Sequence, residues 1–163
     1  FVVSIDPRTG DILALAESPG FDPNHFHTVP LGDTRSRAFT DAVEPGSTFK
    51  TFVIAAAHEA GAVRPHQLFD LRGGLRVPGK TIRDLHPKPL LDTSGILRVS
   101  SNVGVVKVGQ LLGARRHYES LKLFGFGART GSGFPDESAG LLRDVARWRP
   151  AGFTRPDLVS SGG

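Results

Sequence analysis

The sequence contains neither cysteine nor methionine. The first absence removes disulfides and thiolate metal sites and leaves the redox compartment open. The second holds even at position 1, so the chain is expected to be a piece excised from a longer polypeptide. No apolar run approaches membrane-spanning length and no signal-peptide pattern is present, which places any anchor in a preceding N-terminal part. No basic run exceeds Arg115-Arg116, and the net charge of +4 is spread among interleaved acidic residues. A nucleic-acid groove is therefore not indicated. The four glycines of 125–133 match neither a G-x-G-x-x-G nor a G-x-x-x-x-G-K pattern, so they form no nucleotide loop. His25-x-His27 lacks a third ligand nearby and His58-Glu59 lacks the second histidine of a zinc-protease helix, so both are read without a metal.

What is present suits one folded domain. The chain has 163 residues, enough for a core of Leu, Val, Ala and Phe, and a charged fraction of 22% argues against disorder. Phe1–Asp6 and Asp11–Glu17 are short apolar runs joined by Pro7-Arg8-Thr9-Gly10, a pattern that predicts a β-hairpin. Ser18–Asp33, rich in Pro, Gly, Asp and Asn, reads as an ordered loop. Pro65, Gly73-Gly74, Pro78-Gly79, Pro87 and Pro89 punctuate 62–98, where Gly74–Val77 and Thr81–Asp84 are the best strand candidates. Asp92 to Ser94 can cap a short helix reaching about Val99. A Val-rich helix over Val103–Leu112 stops at Gly113, and a further helix over Ala114–Phe124 places Tyr118, Leu121 and Phe124 on one face.

The most informative stretch is Glu44-Pro45-Gly46-Ser47-Thr48-Phe49-Lys50 and the apolar run that follows it. Pro45-Gly46 is a turn, Ser47 suits a helix start, and apolar residues then recur at helical spacing until Gly61. Ser47 and Lys50 are three apart and share a helix face. Serine at such a place is ordinarily a cap and lysine ordinarily solvated. Here Lys50 sits between Phe49 and Phe52 at the head of an almost uncharged helix, a poor place for a solvated ammonium. Burial lowers a lysine's pKa and lets it take a proton from serine. Ser47 is the candidate nucleophile and Lys50 its candidate base.

A second polar group, Ser100-Ser101-Asn102, follows about fifty residues later. The order of the two resembles the penicillin-binding serine transpeptidases, and within them the class B, cell-division type. Further stretches carry the resemblance: Asp6–Ala16, Phe21-Asp22-Pro23-Asn24, Arg37-Ala38, Ser100–Gly104, Phe124–Gly127, Glu137–Leu142 and Arg147-Trp148. It covers residues 1–150. It implies an α+β fold, an incomplete β-lactamase/transpeptidase-like arrangement of an N-terminal β-hairpin and the helical subdomain, with later sheet strands missing. Residues 151–163 read as a divergent tail.

The resemblance also implies roles. Ser47 would attack the penultimate D-Ala carbonyl of a peptidoglycan stem peptide, with Lys50 taking its proton. Ser100 would relay a proton to the leaving amine, and Asn102 would donate its amide to Lys50 or to the substrate backbone. β-Lactams, which mimic D-Ala-D-Ala, would acylate the same serine. No metal or cofactor is called for. The parent protein would work with division proteins from the inner membrane, its domain on the periplasmic face. One family motif is absent: no Lys is followed by Thr-Gly or Ser-Gly, and Lys80-Thr81 continues with Ile82. A non-catalytic interaction module of the same fold, or a β-lactamase or β-lactam sensor, are the alternatives.

Overall fold

The computed structural model describes residues 1–77 and 80–148. Pro78, Gly79 and the expected tail lie outside the described residues. The chain divides into two compact units, Phe1–Ala42 with Arg129–Ala139, and Val43–Ala128 with the chain from Gly140 onward.

In the first unit, β1 (Val2–Ile5) and β2 (Ile12–Ala16) form the predicted antiparallel hairpin, with Val3 opposite Leu15 and a register shift between Ser4 and Ile5. Asp6 organises the turn: its N–H donates to Asp11 O, its carbonyl accepts from Gly10 N, and its carboxylate accepts from Arg8 N. Every residue of both strands is exposed, Val2 and Leu13 most among the large apolar ones. The 18–33 loop is ordered by 3-10 turns at Pro23–Thr28 and Leu31–Asp33. A short helix, α1 (Arg37–Thr40), follows, and Glu17 from the end of the hairpin caps it by accepting from Ser36 Oγ, Arg37 N and Ala38 N. Three donors on one carboxylate lower its pKa, the Ser36 hydroxyl foremost. Phe39 stacks on Phe134 with centroids 4.0 Å apart, tying the later segment of the unit to α1.

The second unit is helical and holds the core. A 3-10 turn at Gly46–Thr48 runs into α2 (Phe49–Glu59), which buries Phe49, Lys50, Val53, Ile54, Ala56 and Ala57. Phe52 stays on the rim, edge-on to Phe124 and Phe126. After α2, β3 (Phe69–Asp70) begins the punctuated region. The next two strands, β4 (Leu75–Val77) and β5 (Lys80–Ile82), form a hairpin close to the sequence expectation. β3 pairs instead with β6 (Leu90–Leu91), a contact of two residues on each side that the sequence does not announce. α3 (Thr93–Arg98) is capped as predicted, Asp92 Oδ1 accepting from Gly95 N at 2.7 Å. α4 (Asn102–Leu112) and α5 (Ala114–Leu123) complete the unit.

The core joins Val53, Ile54 and Ala57 of α2 to Ile96 of α3, Val103, Val108 and Leu112 of α4, and Leu121 of α5. Here the structure corrects one expected face. α5 buries His117 and Leu121, one turn apart, while Tyr118 is half-buried and Phe124 is exposed on the rim. His117 packs between Phe49 and Trp148, and among the described residues neither ring nitrogen has a hydrogen-bond partner. Burial without a partner pushes its pKa down to about 4, so the ring is neutral. No helix among the described residues is long and apolar enough to cross a membrane.

Candidate active site

The head of α2 meets the corner between α3 and α4. α3 closes with Ser100 N donating to Leu97 O at 3.0 Å and Ser101 N donating to Ile96 O at 2.9 Å. This pair of bonds is the Schellman closure, which puts the residue just past the helix in the left-handed region, usually as glycine. α2 and α5 end with the same pair of bonds and use Gly61 (φ +61°) and Gly125 (φ +87°) there. α3 uses Ser100, at φ +54°. A side chain in this conformation costs about 1–2 kcal/mol, so helix termination does not explain the serine.

The corner continues directly into α4. Ser101, 1% exposed, is the N-cap: its Oγ accepts from Gly104 N at 2.8 Å and donates to Asp84 Oδ2 at 2.6 Å. Asp84 Oδ1 accepts from Asn102 N at 2.5 Å and from Val103 N at 3.0 Å. The first N–H groups of a helix have no partner within it, and here Asp84 and Ser101 satisfy three of them. The corner also depends on close contact. A Cβ on Gly104 would lie 2.5 Å from Ile96 Cγ1, so only glycine lets α4 approach α3 this closely.

This corner delivers three oxygens to one amine. Lys50 Nζ donates to Ser100 O at 2.5 Å, to Ser100 Oγ at 2.9 Å and to Asn102 Oδ1 at 2.7 Å. An ammonium has three donors, and all three are engaged. The side chain is only 8% exposed, and burial lowers its pKa, with the charge of Asp84 acting in the opposite direction. Deprotonation leaves two donors and a lone pair. Of the three partners, the carbonyl and the amide oxygen can only accept, whereas the Ser100 hydroxyl can also donate. A neutral Lys50 can therefore keep two of its anchors and turn its lone pair toward a hydroxyl.

Ser47 lies one helical turn before Lys50 and is exposed. It does not cap α2. Thr48 Oγ1 instead donates to Pro45 O at 2.5 Å, and among the described residues Ser47 Oγ has no hydrogen-bond partner. So Lys50, Ser100 and Asn102 are brought together by direct hydrogen bonds, and Ser47, one helical turn before Lys50, keeps an unengaged hydroxyl. Two details differ from expectation. The helix proper begins at Phe49 rather than at Ser47, and Asn102 accepts from Lys50 rather than donating to it, because an ammonium offers no lone pair. Its Nδ2 remains for another partner.

Asp84 is the group that sequence reasoning missed. It lies in a Pro-punctuated loop with no periodicity, and nothing local ties it to a helix that starts 18 residues later. Among the described residues no group of three or more His, Asp or Glu could hold a metal ion. His25 Nδ1 pairs with Asp22 at 2.9 Å, and His58 Nε2 lies 2.9 Å from Thr93 Oγ1.

Known proteins are similar to this chain over most of its length. Probable peptidoglycan D,D-transpeptidase PenA of Neisseria gonorrhoeae is 44% identical over 149 residues, which cover 91% of this chain and 26% of that protein. Peptidoglycan D,D-transpeptidase FtsI of Escherichia coli K12 is 35% identical over 146 residues, 90% of this chain and 25% of that protein. Penicillin-binding protein PbpB of Mycobacterium tuberculosis is 35% identical over 155 residues, 93% and 23%. This chain thus spans about a quarter of the length of these relatives, which are class B penicillin-binding proteins. The crystal structure of a peptidoglycan glycosyltransferase from Burkholderia ambifaria superposes with a TM-score of 0.80 at 29% identity, over 93% of this chain and 44% of that one. The α+β, transpeptidase-like fold is the one the sequence implied. The penicillin-binding protein transpeptidase domain, as a family, matches residues 1–161, and the chain belongs to that family.

Proposed function

We propose that the protein carrying this chain is a septal, class B peptidoglycan D,D-transpeptidase that works through an acyl-enzyme on Ser47 and is acylated by β-lactams at the same atom. The observation that carries this reading is Lys50: a buried amine, held by Ser100 and Asn102, one turn from a serine hydroxyl with nothing else to bond. Two relatives that match most of this chain are named peptidoglycan D,D-transpeptidases, which supports the same chemistry here.

Neutral Lys50 takes the Ser47 proton, directly or through the Ser100 hydroxyl, as Ser47 Oγ attacks the penultimate D-Ala carbonyl. The carbonyl carbon gains the Ser47 oxygen and loses the nitrogen of the terminal D-Ala. The proton passes through Ser100 to that leaving amine. An amine from a second stem peptide then attacks the ester and returns Ser47 to its hydroxyl form. Asn102 Nδ2, unused by Lys50, donates to the substrate backbone in this reading. The Ser47 N–H lies in the first turn of its helical segment, where backbone donors lack partners and can receive an oxyanion. Peptidoglycan as substrate puts the domain on the extracytoplasmic face of the inner membrane, alongside division proteins, with the anchor elsewhere in the parent.

Mass spectrometry of the penicillin-treated full-length protein tests the reading. Trypsin yields residues 38–50, whose one serine is Ser47, and separately residues 99–107, which carry Ser100 and Ser101. The adduct is expected on the first peptide and vanishes in Ser47→Ala. An adduct on the second peptide would reassign the nucleophile, and no adduct at all would favour a non-catalytic module of the same fold.

A further inference from the structure

We propose that Asp84 is a positioning residue for acylation, its carboxylate setting the α3–α4 corner so that Ser100 and Asn102 reach Lys50. The inference rests on the transpeptidase reading above and adds to it a residue that touches none of the reacting atoms.

Ser100 is in a conformation that side chains disfavour, and Asn102 is exposed at the first position of α4. Neither is held by burial of its own side chain. Both flank Ser101, and Asp84 grips that segment at three points: Ser101 Oγ, Asn102 N and Val103 N. Hydrogen bonds to a charged acceptor are about twice as strong as neutral ones. With the corner gripped, Ser100 O, Ser100 Oγ and Asn102 Oδ1 converge on one nitrogen. Asp84 reaches the corner from just past the β4–β5 hairpin, which is itself closely fitted: a Cβ on Gly74 would lie 2.7 Å from Ile82 O.

Asp84 also bears on the amine's charge. From the elements packed on α2, the other ionisable groups are engaged or turned elsewhere. His58 of α2 itself meets Thr93, Arg98 of α3 is exposed, and Lys107 of α4 donates to Asp70 O. On α5, Arg115 pairs with Glu119 in solvent, and His117 packs on Phe49. Asp84 is the charge that opposes the effect of burial on Lys50. Its removal should let Lys50 lose its proton at lower pH, while the loss of its oxygens should let the corner drift.

Two variants of the full-length protein separate these effects. Asp84→Asn keeps an oxygen for the two N–H groups and removes the charge. The acid limb of its acylation rate with a fluorescent penicillin should move to lower pH by about one unit, the scale of a nearby charge partner. The Lys50 side-chain NMR titration should move with it. Asp84→Ala strands the two N–H groups and should slow acylation at every pH by about ten- to a hundredfold, as misplacement of catalytic groups by an ångström does. Unmoved pH profile and Lys50 titration in Asp84→Asn would overturn the proposal, as would wild-type acylation in Asp84→Ala. Should the wild-type protein resist labelling, the transpeptidase reading fails, and the Lys50 titration still decides whether Asp84 governs that amine.

Discussion

Gly104→Ala probes the corner without touching a polar group. Alanine is ordinarily the better residue inside a helix by about 1 kcal/mol, and that gain would be expected at a roomy site. Gly104 is not roomy. The new Cβ would sit 2.5, 2.8 and 3.0 Å from Cγ1, Cδ1 and Cγ2 of Ile96, all on one side chain that is 0% exposed. Carbon atoms rest about 3.5–4.0 Å apart, so α3 and α4 must separate by about 1 Å. Ile96 cannot swing aside, because a β-branched residue in a helix has essentially one χ1 rotamer. Overpacking of this kind costs about 1–3 kcal/mol, and with three contacts of 3.0 Å or less it outweighs the helix gain, for a net loss of about 1 kcal/mol, and at most about 2 kcal/mol, in urea denaturation. Since Ser100 and Asn102 ride on the same corner, penicillin labelling should slow by about tenfold or more under conditions where the variant is fully folded. Ile96→Ala removes all three clashing carbons, so the double variant should lose less stability than the two single losses added together, by about 1 kcal/mol or more. A Gly104→Ala protein as stable as its parent would refute the close approach and the reasoning built on it.

Lys50→Arg preserves the positive charge in a group that does not deprotonate, so the fold should survive while acylation in the fluorescent assay falls to background; near-normal labelling would require another base. In the parent, burial lowers the Lys50 pKa from 10.5, so the acid limb of the acylation rate should lie below the ordinary lysine range, and a limb centred at 10.5 would contradict a buried base. His117 should make the protein acid-labile. Its pKa falls from 6.5 to about 4 on folding, so the unfolded chain binds the extra proton, and stability present above pH 6.5 is lost as pH falls toward 4. The span is worth at most about 3 kcal/mol, and His117→Leu should flatten that part of a melting-temperature profile against pH.

The parts of this molecule legible in the sequence are those governed by neighbours along the chain. The first hairpin follows from two apolar runs and a turn, the start of α3 from Asp92, and the ends of α2 and α4 from Gly61 and Gly113. Lys50 was legible because charge among phenylalanines is locally inconsistent, and the resemblance then supplied Ser100 and Asn102. What escaped was set by long-range partners. Phe69–Asp70 pairs with Leu90–Leu91 across a Pro-rich stretch, and two-residue strands are too short to show alternation. On α5 the aromatic pattern pointed to Tyr118 and Phe124, whereas the Phe49 ring and the Trp148 indole take His117 between them. Ser47 looked like a cap by its residue type, but neither it nor Thr48 caps α2, the Thr48 hydroxyl donating back to Pro45 O instead.

The serine in glycine's place at the end of α3 has an evolutionary consequence. Ser100→Gly would relieve a disfavoured backbone at φ +54° and, by itself, raise stability by about 1 kcal/mol. It would also keep one of the oxygens on Lys50, because Ser100 O belongs to the main chain, while deleting the hydroxyl that alone can turn from acceptor to donor. On the proposed mechanism, heat resistance and turnover thus pull this codon in opposite directions. A population selected only for survival of the fold would drift toward glycine there, keeping the shape of the corner and shedding the one hydroxyl that reaches Lys50.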